Sequence, residues 1–206
     1  MALKKVMSSF DIHAISFELG QKIVGKHIHN IYQVRPKLFL IKLKPGDLDL
    51  IIEVERRIHL TRYELRLPRT PTQFCMALRK YLVGTEIVAV TQHEFERILT
   101  LEVDRTGVRF RLVAEIFRRG NLVLVGPDDR IILALYYARM RDRSILRKEH
   151  FQNPPSTGID FAKPLSEIDL LALPECRRLE LRKALVSFLP IGVQYADEIC
   201  LRAGLD

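Results

Sequence analysis

Residues 86–137 read EIVAVTQHEFERILTLEVDRTGVRFRLVAEIFRRGNLVLVGPDDRIILALYY, and this stretch decides the fold class. Apolar residues tend to alternate with polar ones in EIVAVTQH (86–93), RILTLEV (97–103) and VRFRLVAEIF (108–117). That is the period of a strand with one face buried. Thr106-Gly107 separates the last two runs, a pair suited to a tight hairpin turn. NLVLV (121–125) and RIILALYY (130–137) flank Gly126-Pro127-Asp128-Asp129, a second hairpin signal. Such joins are too short for the crossover that a parallel pair requires, so the sheet is expected to be mostly antiparallel.

Upstream, IHNIYQV (28–34), KLFLIKL (37–43) and DLIIEV (49–54) add three strand candidates, broken at Arg35-Pro36 and Pro45-Gly46-Asp47. About eight strands are therefore expected between residues 28 and 137, by the alternation of apolar residues. Two helices are embedded among them. The first begins at Ser8-Ser9, where Ser8 and Asp11 have capping-box spacing; Ile12, Ile15, Phe17, Leu19 and Ile23 supply apolar positions, and Gly25 ends it. The second lies in PRTPTQFCMALRKYLVG (68–84), with Thr70 as the expected cap, Pro71 in the first turn and Gly84 as the stop. The class is α+β, mostly antiparallel sheets with embedded helices, over residues 1–150.

Residues 151–165, FQNPPSTGIDFAKPL, hold three prolines and a glycine and read as a linker. Residues 166–206 then read as short helices in a second, small domain. Leu189-Pro190-Ile191-Gly192 followed by Ala196-Asp197-Glu198-Ile199 has the form of a helix-hairpin-helix turn. An ordinary αα-hairpin fits the same residues. The chain stops at Asp206 soon after a helix, an ending expected inside a longer protein.

Composition narrows the function classes. Apolar residues at 48% and charged residues at 28% fit a globular domain. No apolar run approaches the ~20 residues of a membrane helix, and the start Met1-Ala2-Leu3-Lys4-Lys5 has no export-signal pattern. No membrane partner is expected, and the expected location is the cytoplasm. Cys75, Cys176 and Cys200 stand far apart, which fits reduced thiols and neither a disulfide framework nor a zinc site. Nucleophile-elbow, zinc-protease, phosphate-loop and dinucleotide motifs are missing, so no catalytic residue, metal or cofactor is assigned.

The formal net charge is +8. Residues 1–165 carry 28 basic and 18 acidic groups, whereas residues 166–206 carry 5 and 7. An excess of this kind attracts polyanions, and arginine matches phosphate with a planar fork. A surface laced with ion pairs would have the same composition. Two stretches concentrate the charge. Residues 56–80 include Arg56, Arg57, Arg79 and Lys80, with Tyr63 and Phe74 among them, a mixture used to bind RNA loops and single strands. Arg139, Arg141 and Arg143 alternate, and in an extended segment they would form a comb along a phosphate backbone. A solvated surface is the plainer account of both stretches. Arg97 shares the parity of Leu99, Leu101 and Val103 and could close the end of the core against a carboxylate. Capping alone accounts for Asp11.

The order SSFDIHAISFEL, NIYQV, RRIHLT, PTQFCMALRKYLVG, ERILTL and AEIFRRGNLVLV resembles the N-terminal domain of the NFACT family, also labelled fibronectin-binding A-like, its archaeal branch above all. The resemblance covers nearly all of residues 4–206. It implies a fold similar to the N-terminal domain of formamidopyrimidine-DNA glycosylases, followed by a helix-hairpin-helix. It further implies a factor that binds large ribosomal subunits obstructed by peptidyl-tRNA. Such factors recruit tRNA and support untemplated addition of residues, chiefly alanine in prokaryotes, to the stalled chain. Their full-length forms continue into a coiled coil and a C-terminal RNA-binding domain. The family's first-helix aspartate falls on Asp11 and its Asp-Arg pair on Glu96-Arg97, both implied in tRNA engagement. Glu96 departs from the pattern by one methylene. Leu146–His150 stands where the family tends to carry a glycine. The alternative is a nucleic-acid enzyme of glycosylase type. That chemistry needs an N-terminal amine nucleophile, usually proline, where this chain has Ala2, and often a zinc finger, for which the cysteines are too few.

Overall fold

The computed structural model describes residues 6–155, 179–189 and 191–205. Helix α1 (Ser9–Ile23) starts on the reciprocal pair expected of it: the Ser8 side chain accepts from Asp11 N, and Asp11 accepts from Ser8 N. Such a box satisfies donors that the first turn would otherwise leave open. Ile12, Ile15, Leu19 and Ile23 form the buried stripe. Phe17, expected among them, is 70% exposed, because its position falls on the opposite side of the helix.

Strands β1 (His27–Arg35), β2 (Leu38–Lys44), β3 (Asp49–Glu53) and β4 (Arg57–Thr61) follow as an antiparallel meander. β4 was not among the expected strands; its residues, RIHLT, are ordered by pairing with β3 along their whole length. Helix α2 (Gln73–Leu82) starts two residues later than expected. Thr72, not Thr70, is its cap and accepts from Cys75 N at 3.1 Å. Then come β5 (Glu86–Gln92), β6 (Ile98–Arg105), β7 (Val108–Glu115), β8 (Leu122–Val125) and β9 (Ile131–Ala134), and a two-stranded ribbon of β10 (Ala138–Arg139) and β11 (Ser144–Ile145). Thr106 and Gly107 both have positive φ, as the tight turn between β6 and β7 requires.

All nine main strands belong to one antiparallel sheet, ordered β4-β3-β2-β1-β5-β6-β7-β8-β9. β1 and β5 share a single ladder pair, His27 with Glu86, so the sheet bends there into two halves. One apolar core draws on both halves and both helices, including Ile12 and Leu19 from α1, Leu78 and Leu82 from α2, Phe39 and Ile52 from the first half, and Leu99 and Leu124 from the second. The α+β class and antiparallel order match expectation.

The reverse side of the second half holds Val113, Val123 and Ile131, covered by Ile145 and by Phe151 from the start of the expected linker. Under this cover lies a buried ion pair. Arg143 Nη1 stands 2.6 Å from Glu115 Oε1, with the two side chains 5% and 1% exposed. The contact is a close charge pair without an aligned hydrogen bond to Glu115 from any described residue. Arg143 Nη1 also donates to Gln152 O at 3.1 Å. Arg143 therefore does not belong to a phosphate comb. The segment turns back on itself as β10–β11, which breaks the alternation and sends Arg143 inward. Residues 156–165 of the expected linker and 166–178 of the expected second domain lie outside the described residues. The end of the chain forms α3 (Leu181–Phe188) and α4 (Val193–Arg202). These helices pack through Leu185, Leu189, Ile191, Tyr195 and Ala196.

Candidate nucleic-acid interface

Asp11 and the Glu96-Arg97 pair lie far apart in sequence, and Gln92 joins them. Its Nε2 donates to Ser9 O at 3.0 Å and to Glu96 O at 2.8 Å. Its Oε1 lies 3.1 Å from His13 Nδ1. One side chain at the end of β5 thus ties the first turn of α1 to the turn before β6. Aromatic contacts reinforce the joint: the Phe10 and Phe95 rings meet edge-on at 4.9 Å, and His13 lies 5.5 Å from Phe95. Edge-to-face pairing of this kind fixes relative orientation as well as burying area.

Asp11 Oδ2 accepts from Ser8 N at 2.6 Å and from Ser8 Oγ at 2.7 Å. The Ser8 hydroxyl also lies 3.1 Å from Tyr195 OH, and the Tyr195 ring packs 4.8 Å from Phe10. The C-terminal helix pair therefore reaches the capping box of α1. Within that pair, Arg182 Nε donates to Asp197 Oδ1, and Nη2 donates to Oδ2 at 3.2 Å. The guanidinium holds the Asp197 carboxyl below the usual carboxylate range, and Asp197 raises Arg182 in turn.

Arg97 immediately precedes β6 and is half-buried. Its backbone carbonyl accepts from Ile116 N at 2.8 Å, which fixes its position beside the end of β7. Among the described residues its guanidinium has no ion pair or hydrogen bond, so the core-closing role with a carboxylate partner is not what the geometry contains. Asp11 engages Ser8, and no Asp11–Arg97 bond joins the two side chains.

The other sequence candidates divide. Met7 N donates to Arg56 O at 2.8 Å, which brings the start of β4 alongside the approach to α1. Arg56 and Arg57 both pair with the nearly buried Glu53, at 3.0 and 2.8 Å, while each keeps about half its surface exposed. They retain one net positive charge as a trio. Arg79 is committed inward: Nε donates to Ile31 O at 2.6 Å, and the guanidinium lies 4.8 Å from the centre of the Tyr32 ring. The Lys80 carbonyl accepts from Arg105, at the turn between β6 and β7, the far end of β6 from Arg97. Arg79 and Lys80 thus stand away from the Asp11–Arg97 corner. Arg139 and Arg141 are exposed on and after β10.

Gln92, Phe95 and Tyr195 escaped the sequence reading. A glutamine ending a strand carries no motif, and an aromatic residue in a short helix reads as packing. Among the described residues no cluster of histidine, cysteine and acidic side chains is arranged to hold a metal. No described helix is long and apolar enough to cross a membrane.

The sequence pattern of NFACT N-terminal and middle domains matches residues 8–206. The chain belongs to the NFACT family. It is 33% identical to the archaeal Rqc2 homolog aRqcH of Methanocaldococcus jannaschii, over 99% of this chain and 32% of that protein. It is 27% identical to the human ribosome quality control complex subunit NEMF, over 98% of this chain and 19% of that protein. This NFACT chain therefore spans a third or less of the length of these relatives. Among solved structures it resembles the N-terminal part of a fibronectin/fibrinogen-binding protein from Streptococcus suis, with a TM-score of 0.82, 25% identity, and coverage of 95% of this chain and 79% of that one.

Proposed function

We propose that this NFACT chain is the RNA-holding module of a ribosome-associated quality-control factor. It binds large ribosomal subunits that carry an obstructing peptidyl-tRNA in the cytoplasm, and it recruits tRNA for untemplated tailing of the stalled chain. The names of its relatives support the quality-control role. The observation that carries the tRNA part is the joining of α1's first turn to the Glu96-Arg97 turn by Gln92, beside an arginine with no ion-pair partner among the described residues. An arginine in that state offers its whole fork to phosphate or to a base edge. Glu96 stands next to it as the longer counterpart of the family aspartate. Arg56 and Arg57 add phosphate-binding charge nearby. In this reading α3 and α4 are part of a helix-hairpin-helix unit, and the chain binds without catalysing.

The test measures tRNA binding and thermal melting together. Arg97→Ala loses tRNA binding while its melting temperature stays near that of the parent. Arg97→Lys restores little, because a point charge does not reproduce a fork. Asp11→Asn keeps the fold, since asparagine caps as well as aspartate, but loses binding if the carboxylate itself meets the RNA complex. Normal tRNA binding by folded Arg97→Ala rejects the assignment.

A further inference from the structure

The rim next to Arg97 has a composition of its own. Ile116 N, bonded to Arg97 O, opens the loop from β7 to β8, which carries Arg118 and Arg119. Asn121 ends that loop and clamps the segment after β9: its Nδ2 donates to Tyr136 O at 2.7 Å, and its Oδ1 accepts from Tyr136 N at 3.1 Å. Two segments are thereby held side by side, one bearing Arg118-Arg119 and the other Tyr136-Tyr137, with Arg139 and Arg141 following. The bend of the sheet brings the first half to the same rim. Glu55 Oε1 accepts from Arg119 N at 3.0 Å, and Lys37 Nζ pairs with Glu55 at 2.6 Å and lies 5.8 Å from the centre of the Tyr136 ring.

This rim combines two features. Arg118, Arg119, Arg139 and Arg141 are all exposed, and none has a side-chain ion pair among the described residues. Several other arginines are matched, Arg62 with Asp47, Arg109 with Glu102 and Asp104, Arg111 with Asp129, and Arg130 with Asp128, whereas Arg35, Arg66, Arg69 and Arg147 are likewise exposed without an ion pair among the described residues. Moreover, Tyr136 and Tyr137 are 43% and 49% exposed, with a backbone pinned by Asn121. Apolar surface left in water next to unmatched guanidinium groups is suited to a ligand that is both anionic and flat-faced. Asp142 and Glu55 are the acidic groups in these segments, and Glu55 already serves Lys37 and Arg119 N.

We propose that Tyr136 and Tyr137, framed by Arg118, Arg119, Arg139 and Arg141, form a stacking platform for unpaired RNA nucleotides, distinct from the Asp11–Arg97 corner and bordering it. The tyrosine rings take the bases of a loop or single-stranded end, and the arginines follow its backbone. Duplex RNA presents no free base face and gains only the arginine contacts. The identification of the polyanion as RNA rests on the function proposed above.

The experiment titrates the full chain with a labelled single-stranded oligouridine, an RNA duplex of the same length, and tRNA. Tyr136→Leu/Tyr137→Leu is expected to lose about tenfold or more in affinity for the single strand while binding the duplex as the parent does. Tyr136→Phe/Tyr137→Phe retains single-strand binding, because stacking needs the ring and not the hydroxyl. Arg118→Ala/Arg119→Ala weakens both RNAs and flattens the salt dependence, by a log–log slope of about 0.7 per lost single-strand phosphate contact. Unchanged single-strand affinity in the leucine variant overturns the platform, as does an equal loss for single strand and duplex. Binding of tRNA by the parent that depends on Arg97, with no effect of the tyrosines, rejects the platform and leaves the tRNA reading standing. No binding of any RNA by the parent rejects both.

Discussion

Gln92 Nε2 donates to the Ser9 carbonyl at 3.0 Å, joining positions 83 residues apart, and the same nitrogen reaches Glu96 O at 2.8 Å. A strand end is thereby used as a brace between the two parts of the proposed tRNA site. Gln92→Ala removes the brace without touching Asp11 or Arg97. The expected stability loss is about 1–3 kcal/mol, for the hydrogen bonds to Ser9 O and Glu96 O together with the contact to His13 Nδ1. The expected loss in tRNA affinity is on the order of three- to tenfold, or about 0.6–1.4 kcal/mol, seen by equilibrium binding at a temperature well below melting. Unchanged tRNA affinity in a folded Gln92→Ala variant would show that the brace does not position the site.

The Glu115–Arg143 pair makes a different prediction. Removing one partner from a buried ion pair strands a charge, at a cost of about 3–5 kcal/mol. Arg143→Met and Glu115→Gln should each destabilise the chain strongly, and the double variant should recover much of the loss. A double-mutant cycle by denaturant unfolding measures this coupling. Additive losses would mean that Arg143 acts through Gln152 rather than through Glu115.

Gly120 has no room for a side chain. A Cβ placed there would lie 2.1 Å from Glu115 O and 2.7 Å from Phe117 O, both backbone atoms. Gly120→Ala must therefore shift the loop that bears Arg118 and Arg119, with an expected cost of about 1–3 kcal/mol. Thermal melting reads the stability, and the oligouridine titration reads the displaced arginines. A variant as stable as the parent would contradict the close approach.

The clasp between α3 and α4 predicts a pH dependence. Asp197 is held below its ordinary range by Arg182. A carboxyl whose folded pKa is lowered stabilises above its unfolded pKa, about 3.9, and the contribution disappears as pH falls through the lowered value. Between neutrality and the mid-acid range the helix pair should hold. Below that, amide exchange in Leu181–Phe188 and Val193–Arg202, corrected for intrinsic rate, should rise, and Asp197→Asn should show the faster exchange already at neutral pH. Both groups are on the surface, so the effect is expected to be small and to weaken with salt.

Much of the fold was legible because it rests on local chemistry. The capping box of Ser8 and Asp11, the turn at Thr106-Gly107 and the alternation in Ile98–Glu115 involve residues within a few positions of one another. The misplacements have equally local causes. Thr70 and Thr72 both precede the same helix, and only the backbone path to Cys75 N selects Thr72. β4 is set by its partner β3, with which all five of its residues pair. In the site, Asp11 and Glu96-Arg97 were legible only through family resemblance, and nothing in the sequence pointed to Gln92.

The sequence by itself determined the antiparallel α+β class, the cap of α1, the tight turn at Thr106-Gly107, the excess of arginine and membership of the NFACT family. These follow from residue type, short-range spacing and ordered motifs. Only the tertiary structure decided which arginines are available. The bend at the His27–Glu86 pair brings Glu55 to Arg119, Asn121 brings Tyr136 to the same rim, and the turn into β11 buries Arg143 against Glu115. An arginine's charge is written in the chain, but its partner is chosen by strand register and sheet curvature, which depend on contacts tens of residues apart. That is why Arg139 and Arg143, four positions apart, end in opposite surroundings: one exposed on the rim, the other neutralised beneath the sheet's cover.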